Sequence, residues 1–141
     1  IITIGPGSYT ALRVGASFIA GLSQSMNLPV SAVSTLTIHN HLSEPRNHIG
    51  VYFQSSNNQK FFSYQKNHQF IHEKIDNTSY EMPKSVSKVL YNLTLPDFIN
   101  NNTQSEIFSI KNNVIGNLDT LEFDKDLIIK PIYISNNTIL N

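Results

Sequence analysis

Apolar and polar residues alternate in two different rhythms along this chain, and the change falls near residue 40. Ile1 to Ile4 is apolar except for Thr3, the pattern of a short buried strand. Gly5-Pro6-Gly7 breaks it. From there to about Met26 the rhythm is helical: Leu12, Gly15, Ile19 and Leu22 form one stripe, flanked by Ala11, Val14 and Phe18. Ser8 or Thr10 supplies the cap, since either hydroxyl accepts a free backbone N–H of the first turn. Asn27-Leu28-Pro29 ends the helix, because proline disfavours helical geometry in the residue before it. Val30 to Val33 predicts a second strand, and Ser34 or Thr35 caps a short helix to about Leu42. Strand, helix, strand, helix in this order predicts parallel strands with right-handed crossovers.

After a linker at Glu44-Pro45-Arg46-Asn47 the rhythm becomes that of a sheet. Ile49 to Gln54 reads as a strand, Ser55 to Asn58 as a turn and Lys60 to Gln65 as the returning strand. Phe70 to Ile75 adds a third. Val86, Val89, Leu90 and Leu93 lie at helical spacing and predict a helix over Ser85 to Leu93. Residues 97 to 126 carry little pattern beyond a strand near Ile107 to Ile110. Leu127 to Ile134 predicts a closing strand, and a tail follows from Asn136. These elements divide the chain into lobes of residues 1–46 and 47–141, with no internal repeat.

Composition sharpens this division. All four alanines and four of the six glycines precede residue 40, so the first third is built for close packing. Only 14% of residues are charged and the formal net charge is +0, so no basic footprint argues for autonomous binding of nucleic acid. The absence of cysteine removes disulfides, thiolate metal sites and cysteine nucleophiles together. No apolar run reaches the roughly 18 residues needed to cross a bilayer, and no secretory signal is visible. The Asn-Xaa-Ser/Thr triplets at Asn77, Asn92, Asn101 and Asn136 reflect a chain rich in asparagine. Ile1 in place of Met, already in strand pattern, gives the expectation that the chain starts inside a longer product.

Candidate chemistry centres on the glycine-rich loop Gly5, Pro6, Gly7 and Ser8. A Walker loop needs Lys-Ser/Thr after its glycines, and here Ala11-Leu12-Arg13 follows. A dinucleotide fingerprint needs three spaced glycines and a later acid, which are also missing. Ser8 lacks the Gly-Xaa-Ser-Xaa-Gly elbow of a nucleophile. The loop is therefore expected to turn the chain sharply into the helix. In that helix Ala11 and Gly15, Ala16 and Ala20, and Ser17 and Gly21 are small residues four apart. Such a line permits close backbone approach, either to the sheet or to a partner helix. His68 and His72 are also four apart, but a strand would hold them far from each other; His39 and His41 point to different sides of a helix. Asp124 and Asp126 read as solvated charges.

Gly5-Pro6-Gly7-Ser8-Tyr9-Thr10-Ala11-Leu12-Arg13-Val14-Gly15, with Pro29-Val30 and Val33-Ser34-Thr35-Leu36, resembles the TsaB (YeaZ) family, the dimerisation subunits of the bacterial tRNA threonylcarbamoyladenosine machinery. The resemblance is strong over residues 3–37, continues weakly at 49–65, and returns at Pro131-Ile132-Tyr133. It implies an α/β fold of the actin-like ATPase (ribonuclease H-like) type in two lobes, here partial, with the N-terminal strands missing. It also implies no catalysis by the chain itself, no cofactor and no metal, and a cytoplasmic location.

The partners implied are a TsaD-like transferase, which modifies the adenosine beside the anticodon, and a TsaE-like ATPase through the complex. Contact with tRNA is indirect, no membrane is involved, and a homodimer forms when the partner is absent. By the same resemblance the docking surface is the helix over residues 10–24, through Thr10, Ala11, Arg13, Val14, Gly15, Ser17, Phe18, Gly21 and Leu22. TsaD carries Asn-His-Xaa-Xaa-Xaa-His where this chain has Ser34-Thr35-Leu36-Thr37-Ile38-His39, so only His39 matches a metal ligand.

Three departures stand out. The N-terminal Ile-Asp-Thr-Ser-like segment is expected to be missing, a loss that would expose Ile1 to Ile4 as an open edge. Gln54-Ser55-Ser56 replaces the family's Asp-Ala-Arg, and Ser135 replaces a terminal arginine. The alternatives are an ATP-binding or metallopeptidase-like enzyme of the same superfamily, and an inactive degraded fragment.

Overall fold

The computed structural model describes residues 1–36, 48–75, 79–108, 119, 121–124, 128–132, 134 and 138–139. Strand β1 (Ile2–Thr3) leads through the glycine loop into helix α1 (Tyr9–Met26), and β2 (Ala32–Val33) returns parallel to β1, with Ile2 opposite Ala32 and Thr3 opposite Val33. This is the parallel crossover that the pattern predicts. Asn27 closes α1 in the left-handed conformation (φ 52°), which asparagine tolerates, and the N–H of Leu28 reaches back to the Ser23 carbonyl.

The second sheet holds six strands in the order β7-β6-β3-β4-β5-β8. Strands β3 (Ile49–Gln54), β4 (Lys60–Lys66) and β5 (Gln69–Ile75) form an antiparallel meander, matching the predicted hairpin and third strand. Strands β6 (Lys88–Tyr91) and β7 (Gln104–Ile107) add to β3 in parallel. Strand β8 (Thr138–Ile139) pairs antiparallel with β5.

Four sequence expectations are corrected here. The helix over Ser85 to Leu93 is strand β6. Val89 and Leu90 are both buried (0% and 7% exposed), so a central parallel strand covered on both faces produces an apolar run that mimics helical spacing. The strand near Ile107 begins earlier, at Gln104, as an exposed polar edge whose alternation carries no hydrophobic signal. The described residues of the expected closing strand (128–132 and 134) lie outside any ladder, where Pro131 has no N–H to donate. Thr138–Ile139 is a strand instead of a tail, because the outer edge of β5 offers backbone partners. The short helix to Leu42, the linker at 44–47 and the lobe boundary at 46 lie largely outside the described residues, with Thr35 and Leu36 in a turn.

The two faces of the large sheet bury different clusters. On one, Tyr52, Phe62, Tyr64, Ile75, Val86 and Val89 pack together. Phe98 closes over them, edge-on to Phe62 (ring centroids 5.5 Å, 88°) and Tyr80 (4.9 Å, 64°). Gly50 is required there, since a methyl group at its Cα would overlap the Phe62 ring. On the other face Leu36, Val51 and Phe61 form the core, flanked by Phe53, Phe108 and Ile134.

Ser63 on β4 and His72 on β5 are opposite each other in the antiparallel register and fully buried. Neither ring nitrogen of His72 nor the Ser63 hydroxyl oxygen has a hydrogen-bond partner. Phe70 lies almost parallel to the imidazole, with centroids 6.4 Å apart. Burial therefore lowers the His72 pKa from 6.5 to about 4. Between these values the unfolded chain binds a proton that the folded chain does not. The stability is fully present above pH 6.5 and is lost as pH falls towards 4, by about 3 kcal/mol. Urea denaturation across this range checks it, and His72→Leu is expected to flatten most of the slope.

Candidate functional site

The loop between β1 and α1 is fixed by backbone chemistry. The Gly5 carbonyl accepts the Thr35 N–H (2.8 Å) and the Ser34 hydroxyl (3.2 Å), and the Ile4 carbonyl accepts the Ile132 N–H (2.7 Å). Gly5 takes φ +116°, a region closed to side chains, and a Cβ there would stand 2.8 Å from the Ile132 carbonyl oxygen. The Gly5-Pro6 peptide is cis. Ser8 is the N-cap: its hydroxyl oxygen accepts the Ala11 N–H at 3.5 Å, and its carbonyl accepts the Leu12 N–H at 2.9 Å. Leu12 then folds under Gly5 and Gly7.

This launch sends α1 across β1 with one side inward. Ala16 is the buried residue, and Leu12, Ile19, Ala20 and Ser23 are half-buried beside it. The opposite side is apolar and open. Val14, Phe18, Leu22 and Met26 recur every fourth residue as a continuous ridge, 64%, 64%, 38% and 62% exposed. Thr10, Ala11, Ser17 and Gly21 are exposed beside that ridge. Arg13 is exposed and lays its guanidinium over the Tyr9 ring, 4.0 Å from the centroid.

Eight of the nine helix residues singled out in the sequence are thus exposed; Gly15 is half-buried, and a Cβ on it would contact Ile2 at 3.8 Å. Leu22 stands on the outer ridge, apart from the half-buried Leu12 and Ile19 with which the helical stripe groups it. Met26 belongs to the ridge and was missed, although its spacing of four from Leu22 was legible.

A cavity of about 300 Å³ lies between the loop and the β3–β4 turn, lined by Gly7, Ser8, Asn57, Gln59, Phe61 and Ile134 among others. Among the described residues that line it no side chain is charged, so these offer an anion only helix and amide dipoles. Among the described residues no three His, Asp or Glu side chains converge as for a metal. Thr35 is buried, and His39 and His41 lie outside the described residues. His68 sits in the β4–β5 turn (φ 63°), exposed, while His72 is in the core. Gln54, where the Asp-Ala-Arg motif would begin, bridges Asn58 (3.1 Å) and Thr94 (2.7 Å). Asp124 is exposed and pairs with Val30 through its backbone.

Fold and site define a mixed α/β protein with a partial actin-like, ribonuclease H-like architecture. The family model described as TsaD: tRNA N6-adenosine threonylcarbamoyltransferase matches residues 1–121, and the chain belongs to that family. Among solved structures it is similar to YeaZ from Pseudomonas aeruginosa, with 15% identity and a TM-score of 0.43 over 62% of this chain and 46% of that one. The chain thus spans less than half of that solved protein. No curated protein matches it. No helix among the described residues is long and apolar enough to cross a membrane.

Two glycines give opposite expectations. Gly5→Ala forces a side chain into a left-handed backbone against a carbonyl and is expected to cost about 2–3 kcal/mol. Gly21→Ala, with nothing within 4 Å of the new methyl, is expected to stabilise by about 0.5–1 kcal/mol. Denaturant midpoints of the two variants check both signs.

Proposed function

We propose that this chain is a non-catalytic, TsaB-like subunit of tRNA threonylcarbamoyladenosine modification, and that it docks a TsaD-like transferase through α1. The observation that carries this is the open ridge of Val14, Phe18, Leu22 and Met26 on a helix anchored by its other side. Each large apolar side chain moved from water into an interface contributes about 1.5–3 kcal/mol, a strong drive towards a partner. Ala11 and Gly21 beside the ridge let a second helix approach closely. Family membership supports the link to this tRNA modification.

Catalysis is assigned to the partner because this chain has Thr35 where TsaD has the first of its two metal histidines. A TsaE-like ATPase joins through the complex, tRNA is contacted only indirectly, and the work takes place in the cytoplasm. Without the transferase, two copies of the chain pair through the same ridge.

The test is co-purification with a TsaD-like transferase. Phe18→Asp is expected to abolish the complex while the thermal midpoint stays within about 3 °C, as for an exposed position. Gly15 is left unchanged in this test, since a side chain there would meet Ile2 inside the chain. An intact complex with Phe18→Asp would refute docking through this ridge.

A further inference from the structure

The chain has no cysteine and two methionines, so its sulfur chemistry rests on Met26 and Met82 alone. The fold places them differently. Met82 is half-buried and packs against the aromatic cluster around Phe62. Met26 is the last residue of α1, 62% exposed, at the end of the ridge that begins with Val14, Phe18 and Leu22. The exposed thioether of the chain therefore stands on the surface assigned to docking.

The end of the helix that carries Met26 is tied down. The Asn27 and Leu28 N–H groups both reach the Ser23 carbonyl, the second at 3.0 Å. The Ser23 hydroxyl donates in turn to the Leu28 carbonyl at 2.6 Å. These bonds fix the last turn of α1, and with it the place of Met26 one turn beyond Leu22.

A thioether is apolar, polarizable and flexible, and adapts to the surface of a partner. A peroxide alters it in one step. The sulfur lone pair attacks a peroxide oxygen, an S–O bond forms and the O–O bond breaks; with hydrogen peroxide the leaving oxygen departs as water. Sulfur is oxidised by two electrons and the peroxide is reduced by two. The sulfoxide carries a strong acceptor oxygen, which must keep its water or find a donor. Val14, Phe18 and Leu22 carry no donor, so a partner seated on the ridge would bury that oxygen unpaired. The chain's own packing is spared, because the residue is exposed.

We propose that Met26 is a redox-sensitive modification site, and that its oxidation to the sulfoxide by a peroxide blocks docking through α1. This rests on the docking role proposed for α1 and adds a control to it. The reaction precedes assembly, since a seated partner covers the ridge. Methionine sulfoxide reductases reverse it with a dithiol: the oxygen leaves as water and the dithiol becomes a disulfide.

The test treats the dilute full chain with hydrogen peroxide, removes the peroxide with catalase and titrates the chain with an untreated TsaD-like transferase. Mass spectrometry of peptides is expected to show Met26 oxidised at least about fivefold faster than Met82. The oxidised chain is expected to bind at least about tenfold more weakly than the reduced chain, with its thermal midpoint within about 3 °C. Sulfoxide reductases of both epimer specificities with dithiothreitol are expected to restore binding. With each variant compared before and after peroxide, Met82→Leu keeps the loss and Met26→Leu removes it. Unchanged affinity with Met26 fully oxidised would overturn the proposal and leave docking through α1 standing, as would a loss that persists in Met26→Leu or a Met82 that oxidises as fast as Met26. A reduced chain that does not bind the transferase would overturn both.

Discussion

The Gly5 carbonyl is the point on which the N-terminal part of the structure depends. It accepts from Thr35 and Ser34, while the neighbouring Ile4 carbonyl accepts from Ile132. Three stretches of chain far apart in sequence therefore meet within two residues. Only glycine has access to the backbone conformation that makes this possible, and only glycine leaves room for the Ile132 carbonyl. The direction of α1 follows from it, since Ser8 caps the helix three residues later.

Once α1 is aimed, its two sides have different fates. Small residues and Leu12 let the helix settle over β1, with Ala16 at the centre of the contact. The outer side then presents four large apolar residues in register, a larger continuous patch than scattered surface leucines would give. The glycine loop first suggests a phosphate cradle. Without a lysine, and with no charged side chain among the described residues of the adjoining cavity, it acts as a joint that aims the helix. In the proposed role this chain supplies docking and its partner the chemistry.

The parts legible in the sequence were those where one physical signal dominated. Alternation and a turn of Ser55 to Asn58 marked the β3–β4 hairpin, and Ser8 and Pro29 bounded α1. Strand β6 was misread because Val86, Val89, Leu90 and Leu93 fit helical spacing, and only its parallel neighbours β3 and β7 decide the matter. Strand β7 is an edge with little side-chain burial to announce it, and β8 is two residues paired to β5 through the backbone. In α1 the pattern gives the residues of the helix but not which side faces the sheet, so its stripe groups Leu22 with Leu12 and Ile19 and leaves out Met26.

The central claim is that the outer side of α1 is where the transferase sits. Photo-crosslinking in the assembled complex addresses it most directly, with benzoylphenylalanine placed at Phe18 on the ridge and, separately, at Glu106 on the exposed edge strand β7. Efficient crosslinks to the TsaD-like transferase from position 18 and none from position 106 are predicted. Crosslinks from position 106 with none from position 18 would contradict the account.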